Sequence, residues 1–146
     1  MRDYTKIGAW KLADDLTVAL YECTRTFPRE EMYGMTSQLR RAAYSVPSNI
    51  AEGSARGSKR DYLQFLYIAR GSLSETQYFI HLARRLGYLE LAEAEKFIGQ
   101  TKQTFACLHG LIQAVEKESG KFAKFAAATS LLAFALMRWS QSHVVL

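Results

Sequence analysis

The chain is 146 residues long, with an apolar share of 49%, a charged share of 23% and a formal net charge of +5. That length suits one domain with a core of its own, and the composition excludes a disordered chain or a disulfide-dense scaffold. Charge is unevenly spread: residues 56–89 hold six basic and two acidic side chains, and residues 90–119 hold three basic and five acidic, a bias that attracts polyanions without demanding one.

Helical periodicity dominates in chain order, and no stretch alternates as a strand would. The first predicted helix, Ile7 to Thr26, carries Trp10, Ala13, Thr17, Leu20, Thr24 and Phe27 three or four residues apart. Phe27-Pro28 stops it, because the residue before proline is pushed out of the helical region. The second, Met35 to Ser54, has Met35, Leu39, Ala42, Ala43, Val46 and Ile50 on one stripe. Pro47 sits inside that stripe, so a kink near Tyr44–Val46 in one continuous helix is expected.

Ser58 is the expected N-cap of the third helix, Lys59 to Leu86, with Asp61 as the capping-box acid. Its stripe is Tyr62, Phe65, Leu66, Ala69, Leu73, Thr76, Ile80, Ala83 and Leu86, and Gly87 follows as the C′ residue. Gly71 falls mid-helix, and close approach of a neighbouring helix is its expected compensation. The fourth helix, Glu90 to Glu118, has Ala94, Ile98, Thr101, Phe105, Leu108, Ile112 and Val115 as its stripe.

Four such helices with short connections predict an all-α fold, an antiparallel up-and-down four-helix bundle over residues 1–119. Residues 120–146 form an apolar C-terminal extension, expected to be helical. Its 13-residue run Phe125–Met137 is too short for a bilayer, which takes about 20 residues. Packing on the bundle or a subunit contact is the preferred reading over a membrane-surface helix. The N-terminal MRDYTKIGAWKLADD has no apolar signal core, so a cytoplasmic protein is expected.

Catalytic motifs are wanting. Cys23 and Cys107 match no metal or redox spacing and read as reduced, buried thiols. His81, His109 and His143 stand apart from other ligand types, and the Glu-x-x-His pairs of di-iron bundles are missing. GSARGSK lacks the spacing of a phosphate loop. No catalytic residue, metal or cofactor is assigned, and an enzyme is not expected.

Two polar groupings remain. Gln38, Arg41, Ser45, Asn49 and Glu52 line one side of the second helix, and Arg70, Ser72 and Glu75 lie mid-way along the third. They read as an interhelix or interface network, since buried charge must be paired, with a ligand pocket as the alternative. The candidate nucleic-acid patch is Arg56, Lys59 and Arg60, with Arg84 and Arg85, and with Tyr62 and Tyr67 interleaved.

The stretch Gln38-Leu39-Arg40-Arg41-Ala42, with Val46-Pro47-Ser48-Asn49-Ile50-Ala51-Glu52-Gly53 and the later ARGSLSE at Ala69–Glu75, resembles the family of proteins encoded in intervening sequences of bacterial 23S rRNA genes. The resemblance spans Trp10 to Ile112. It implies a cytosolic helical bundle with no established enzymatic activity, assembled as a ring-like homo-oligomer, a homopentamer. A related group, the accessory proteins of diversity-generating retroelements, binds a reverse transcriptase and nucleic acid. The implied role is therefore a nucleic-acid-associated scaffold, with RNA or DNA as partner. The alternatives are a protein-interaction scaffold without nucleic acid and a membrane-surface contact. The apolar tail after Ser119 departs from the family pattern.

Overall fold

The computed structural model describes residues 2–142, with side chains described through Glu118. It contains four α-helices: α1 (Gly8–Cys23), α2 (Met35–Ala55), α3 (Lys59–Arg85) and α4 (Leu91–Ser142). Around the bundle the order is α1, α2, α3, α4, with α4 returning to α1. The register is antiparallel throughout. Thr24 meets Arg40 and Thr17 meets Ala43 between α1 and α2. Arg41 meets Glu75 and Ser45 meets Ser72 between α2 and α3.

The helix ends follow from local chemistry. α1 closes in a 3-10 turn, Thr24–Thr26, and Phe27 before Pro28 is extended, at φ −66° and ψ 152°. Ser58 Oγ accepts from Asp61 N at 3.0 Å and donates to the Asp61 carboxylate at 2.7 Å, which starts α3. At its other end Gly87 sits at φ +76°. Its N–H reaches Arg84 O, and Tyr88 N–H reaches Ala83 O, the paired bonds of a Schellman stop.

The core confirms the stripes of α2 and most of α3. Leu39, Val46, Ile50, Leu66, Leu73 and Ile80 are all essentially inaccessible. α4 is shifted from expectation: Phe97 and Thr104 are buried, while Ile98 and Phe105 are only partly so. The buried positions Ala94, Phe97, Thr101, Thr104 and Leu108 keep the narrower a/d spacing of a bundle seam. In α1, Ala9 and Leu16 are buried and Trp10 is half-buried against Tyr4. Leu86 is 50% exposed, because the αR-to-αL stop turns it off the helix face.

Two expectations about small residues need correction. A Cβ on Gly71 would meet nothing within 4 Å, so no helix approaches there. The close approach is at Gly53, where a Cβ would lie 2.8 Å from Phe65 Cβ and 2.9 Å from Tyr62 Cδ2. The cysteines are partly rather than fully buried, and both are free. Cys107 lies at the Gly8 end of α1, and Cys23 ends that 16-residue helix. They are thus about 20 Å apart along it, far beyond disulfide reach. The side chains of the apolar extension, and with them the choice among its three readings, lie outside the described residues. Among the described residues no helix is long and apolar enough to cross a membrane.

Candidate functional site

The polar side chains of α2 and α3 meet along the outer seam between the two helices. Arg41 Nη2 donates to Glu75 Oε1 at 2.9 Å, and Arg41 Nε donates to Gln38 Oε1 at 3.1 Å. One turn on, the Ser45 and Ser72 hydroxyls share a hydrogen bond of 2.9 Å. Asn49 donates back to the Ser45 carbonyl at 2.7 Å and to Ser45 Oγ at 3.0 Å. Glu52 and Arg70 stand outside this network. Glu52 pairs with Arg56, the C-cap residue just past the end of α2, and the Arg70 guanidinium lies 4.8 Å from the Tyr67 ring centre.

The seam is half-open to water. The Arg41 and Glu75 side chains are 54% and 38% exposed, so the pair fixes register without the cost of a buried ion pair. Replacing Glu75 with glutamine is expected to cost no more than about 1 kcal/mol in chemical denaturation. A loss several times larger would mark the seam as buried in an assembly.

The five basic residues do not form one patch. Arg56, Lys59 and Arg60 lie where α2 passes into α3, and Arg84 and Arg85 lie in the last turn of α3. Arg60 and Arg84 are about 36 Å apart along the helix, at 1.5 Å per residue. Arg56 is ion-paired to Glu52 and lies 4.6 Å from the Phe65 ring centre, while Lys59 pairs with Glu118 at 2.9 Å. Arg60 lies in an open groove with Leu63, Gln64, Tyr67 and Ile68. Tyr67 donates its hydroxyl to Glu116, a bond that raises its pKa.

Burial, with a smaller push from the Glu93 carboxylate, drives the Cys23 thiol up to about 12. It is therefore neutral and unreactive at physiological pH. His81 and His109 are exposed, and His143 lies outside the described residues. Among the described residues no three His, Cys, Asp or Glu side chains come together as metal ligands.

At the corner where α1 meets α2, Arg25, Arg29 and Arg40 gather around Thr24, Phe27, Pro28, Met32 and Thr36 in a pocket of about 310 Å³. These residues come from the end of α1, the connection and the first turns of α2. Only the closure of α1 on α2 brings them together, so no short motif announces them.

The 23S rRNA-intervening sequence protein family matches residues 5–110, which take in all of α1, α2 and α3. The chain belongs to this family. A crystal structure from Bacteroides thetaiotaomicron VPI-5482, of a protein of unknown function from the S23 ribosomal protein family, is similar to it in fold. The TM-score is 0.64 at 21% sequence identity, over 71% of this chain and 97% of the other. No curated protein matches the sequence. Family membership covers the bundle and both stretches on which the resemblance was read, and it carries no activity with it.

Proposed function

We propose that this member of the 23S rRNA-intervening sequence family is a non-enzymatic, homo-oligomeric helical scaffold that associates with RNA. The observation that carries the self-assembly is the outer surface of α2 and α3. Tyr67 and Ile68 share an open groove on α3 and are 40% and 45% exposed, and Tyr78 on α3 and Tyr44 on α2 are 58% and 44% exposed. Large apolar side chains grouped on one exposed face mark a docking surface. A second copy of the chain is the occupant we favour, and a ring of five is the form implied by the resemblance.

The RNA part rests on the net positive charge, on Arg60, Arg84 and Arg85, and on the family name, which refers to 23S rRNA. Arg56 and Lys59 contribute less than their number suggests, since each faces a carboxylate. A protein partner such as a reverse transcriptase is the second reading. It predicts co-purification that nuclease does not release.

The test is mass in solution with salt-titrated RNA binding. A multiple of the 16.5 kDa chain mass is expected, falling to the monomer in Ile68→Glu with helicity unchanged. RNA affinity should fall steeply with salt, and Arg60→Gln/Arg84→Gln/Arg85→Gln together should flatten the slope by about one to three units. A wild-type monomer at micromolar concentration would remove the scaffold reading. Absence of RNA binding at low salt would remove the nucleic-acid reading alone.

A further inference from the structure

The corner pocket between α1 and α2 is built differently from the rest of the surface. Arg40 is half-buried and has no carboxylate partner among the described residues. Its guanidinium is instead held in place by neutral groups. Nε donates to Thr24 Oγ1 at 2.8 Å, Nη2 reaches the Tyr21 carbonyl at 3.4 Å, and the Tyr21 ring centre lies 4.8 Å away. Arg25 and Arg29 stand at the rim, exposed. No acidic side chain lines the pocket. The neighbouring Glu31 is not among the lining residues; its carboxylate caps the start of α2, accepting from Met35 N at 2.9 Å, and accepts from the Tyr88 hydroxyl at 3.4 Å.

A second, independent sign is Thr36. Six threonines are buried among the described residues, and five of them donate their hydroxyl to a carbonyl three or four residues back. Thr36 is the exception: it is 5% exposed, it lines this pocket, and its Oγ1 has no partner. As the second residue of α2 it has no helical carbonyl four residues behind it. A buried hydroxyl without a partner costs free energy, and a ligand oxygen would supply the missing bond.

We propose that this pocket binds a phosphate group. The Arg40 guanidinium would supply the main charge-assisted bonds, Thr36 Oγ1 a neutral donor, and Arg25 and Arg29 the rim charge. Three cations without a lining acid match a multiply charged tetrahedral oxyanion better than a neutral ligand. The site does not depend on the scaffold reading: its lining residues come from the α1–α2 connection and the start of α2, although Tyr44 of the assembly face lines the adjoining pocket with Thr36 and Arg40.

The test is a titration of the full chain with inorganic phosphate at low ionic strength, read on the backbone N–H resonances of Thr24 and Ser37, which every variant keeps. Saturation below about 10 mM is expected. Arg40→Gln should weaken binding about tenfold or more, Thr36→Val about threefold, and Lys102→Gln, exposed on α4, not at all. Thr36→Val separates binding from folding, because removing an unpartnered hydroxyl should raise Tm while it weakens phosphate binding. A 5′-phosphorylated tetranucleotide, compared with its 5′-hydroxyl form, shows whether the phosphate is a nucleic-acid end or a free ion. Either result supports the site. No saturable shift with any of these probes, or Thr36→Val and Arg40→Gln binding phosphate as tightly as the wild type, would overturn it.

Discussion

Gly53→Ala is expected to destabilise the bundle by about 1–3 kcal/mol in chemical denaturation, whereas Gly71→Ala should stabilise it by about 0.5–1 kcal/mol. The opposite signs come from one geometric difference. At Gly53 the added methyl would meet Phe65 Cβ and the Tyr62 ring at under 3.0 Å. Tyr62 cannot easily retreat, since it is 1% exposed and packed in the core. At Gly71 the methyl meets nothing, and the helix gains a residue of better propensity. The comparison belongs in the Ile68→Glu background, where self-association would not contribute. In the wild-type background Gly71→Ala should also weaken assembly, if the open backbone there is what a second copy approaches. Equal, small losses from both substitutions would contradict the α2–α3 packing described here.

The pair of glycines shows what the sequence could tell and what it could not. Periodicity placed Leu39, Val46, Ile50, Leu66, Leu73 and Ile80 in the core, because a 3.6-residue repeat is a local property of one helix. Ser58 and Gly87 were legible for the same reason: caps are made within a few residues of the chain. Which glycine touches a neighbour depends on how two helices face each other, and one helix alone does not encode that. The same limit hid the corner pocket, whose three arginines come from two 3-10 turns and α2. It also made Arg56, Lys59, Arg60, Arg84 and Arg85 look like one patch, although α3 holds the two groups at its opposite ends. The α2–α3 seam was half-legible. Arg41 and Glu75, both expected in the network, do pair, while Glu52, also expected in it, finds a nearer partner in Arg56.

Pro47 leads to the second large effect. Proline has no N–H, so the carbonyl four residues back, that of Ala43, loses its helical partner. Ala43 is 2% exposed, and water cannot replace the bond. The substitute comes from α1: the Thr17 hydroxyl lies 2.7 Å from the Ala13 carbonyl of its own helix and 3.1 Å from the Ala43 carbonyl. One proton thus serves two acceptors, and α2 runs through Pro47 as a single helix. Thr17→Val keeps the shape and removes the donor, so it should destabilise the bundle by about 1–3 kcal/mol. In a Pro47→Ala background residue 47 can donate to Ala43 directly, and the cost of Thr17→Val should shrink by about 1 kcal/mol or more. The coupling is the decisive quantity, because Pro47→Ala alone also changes packing and the unfolded chain. If Thr17→Val costs the same in both backgrounds, the hydroxyl serves α1 alone and the orphaned carbonyl is not its purpose. If the costs differ as expected, a threonine on one helix and a proline on the next act as a single device that locks α1 against α2.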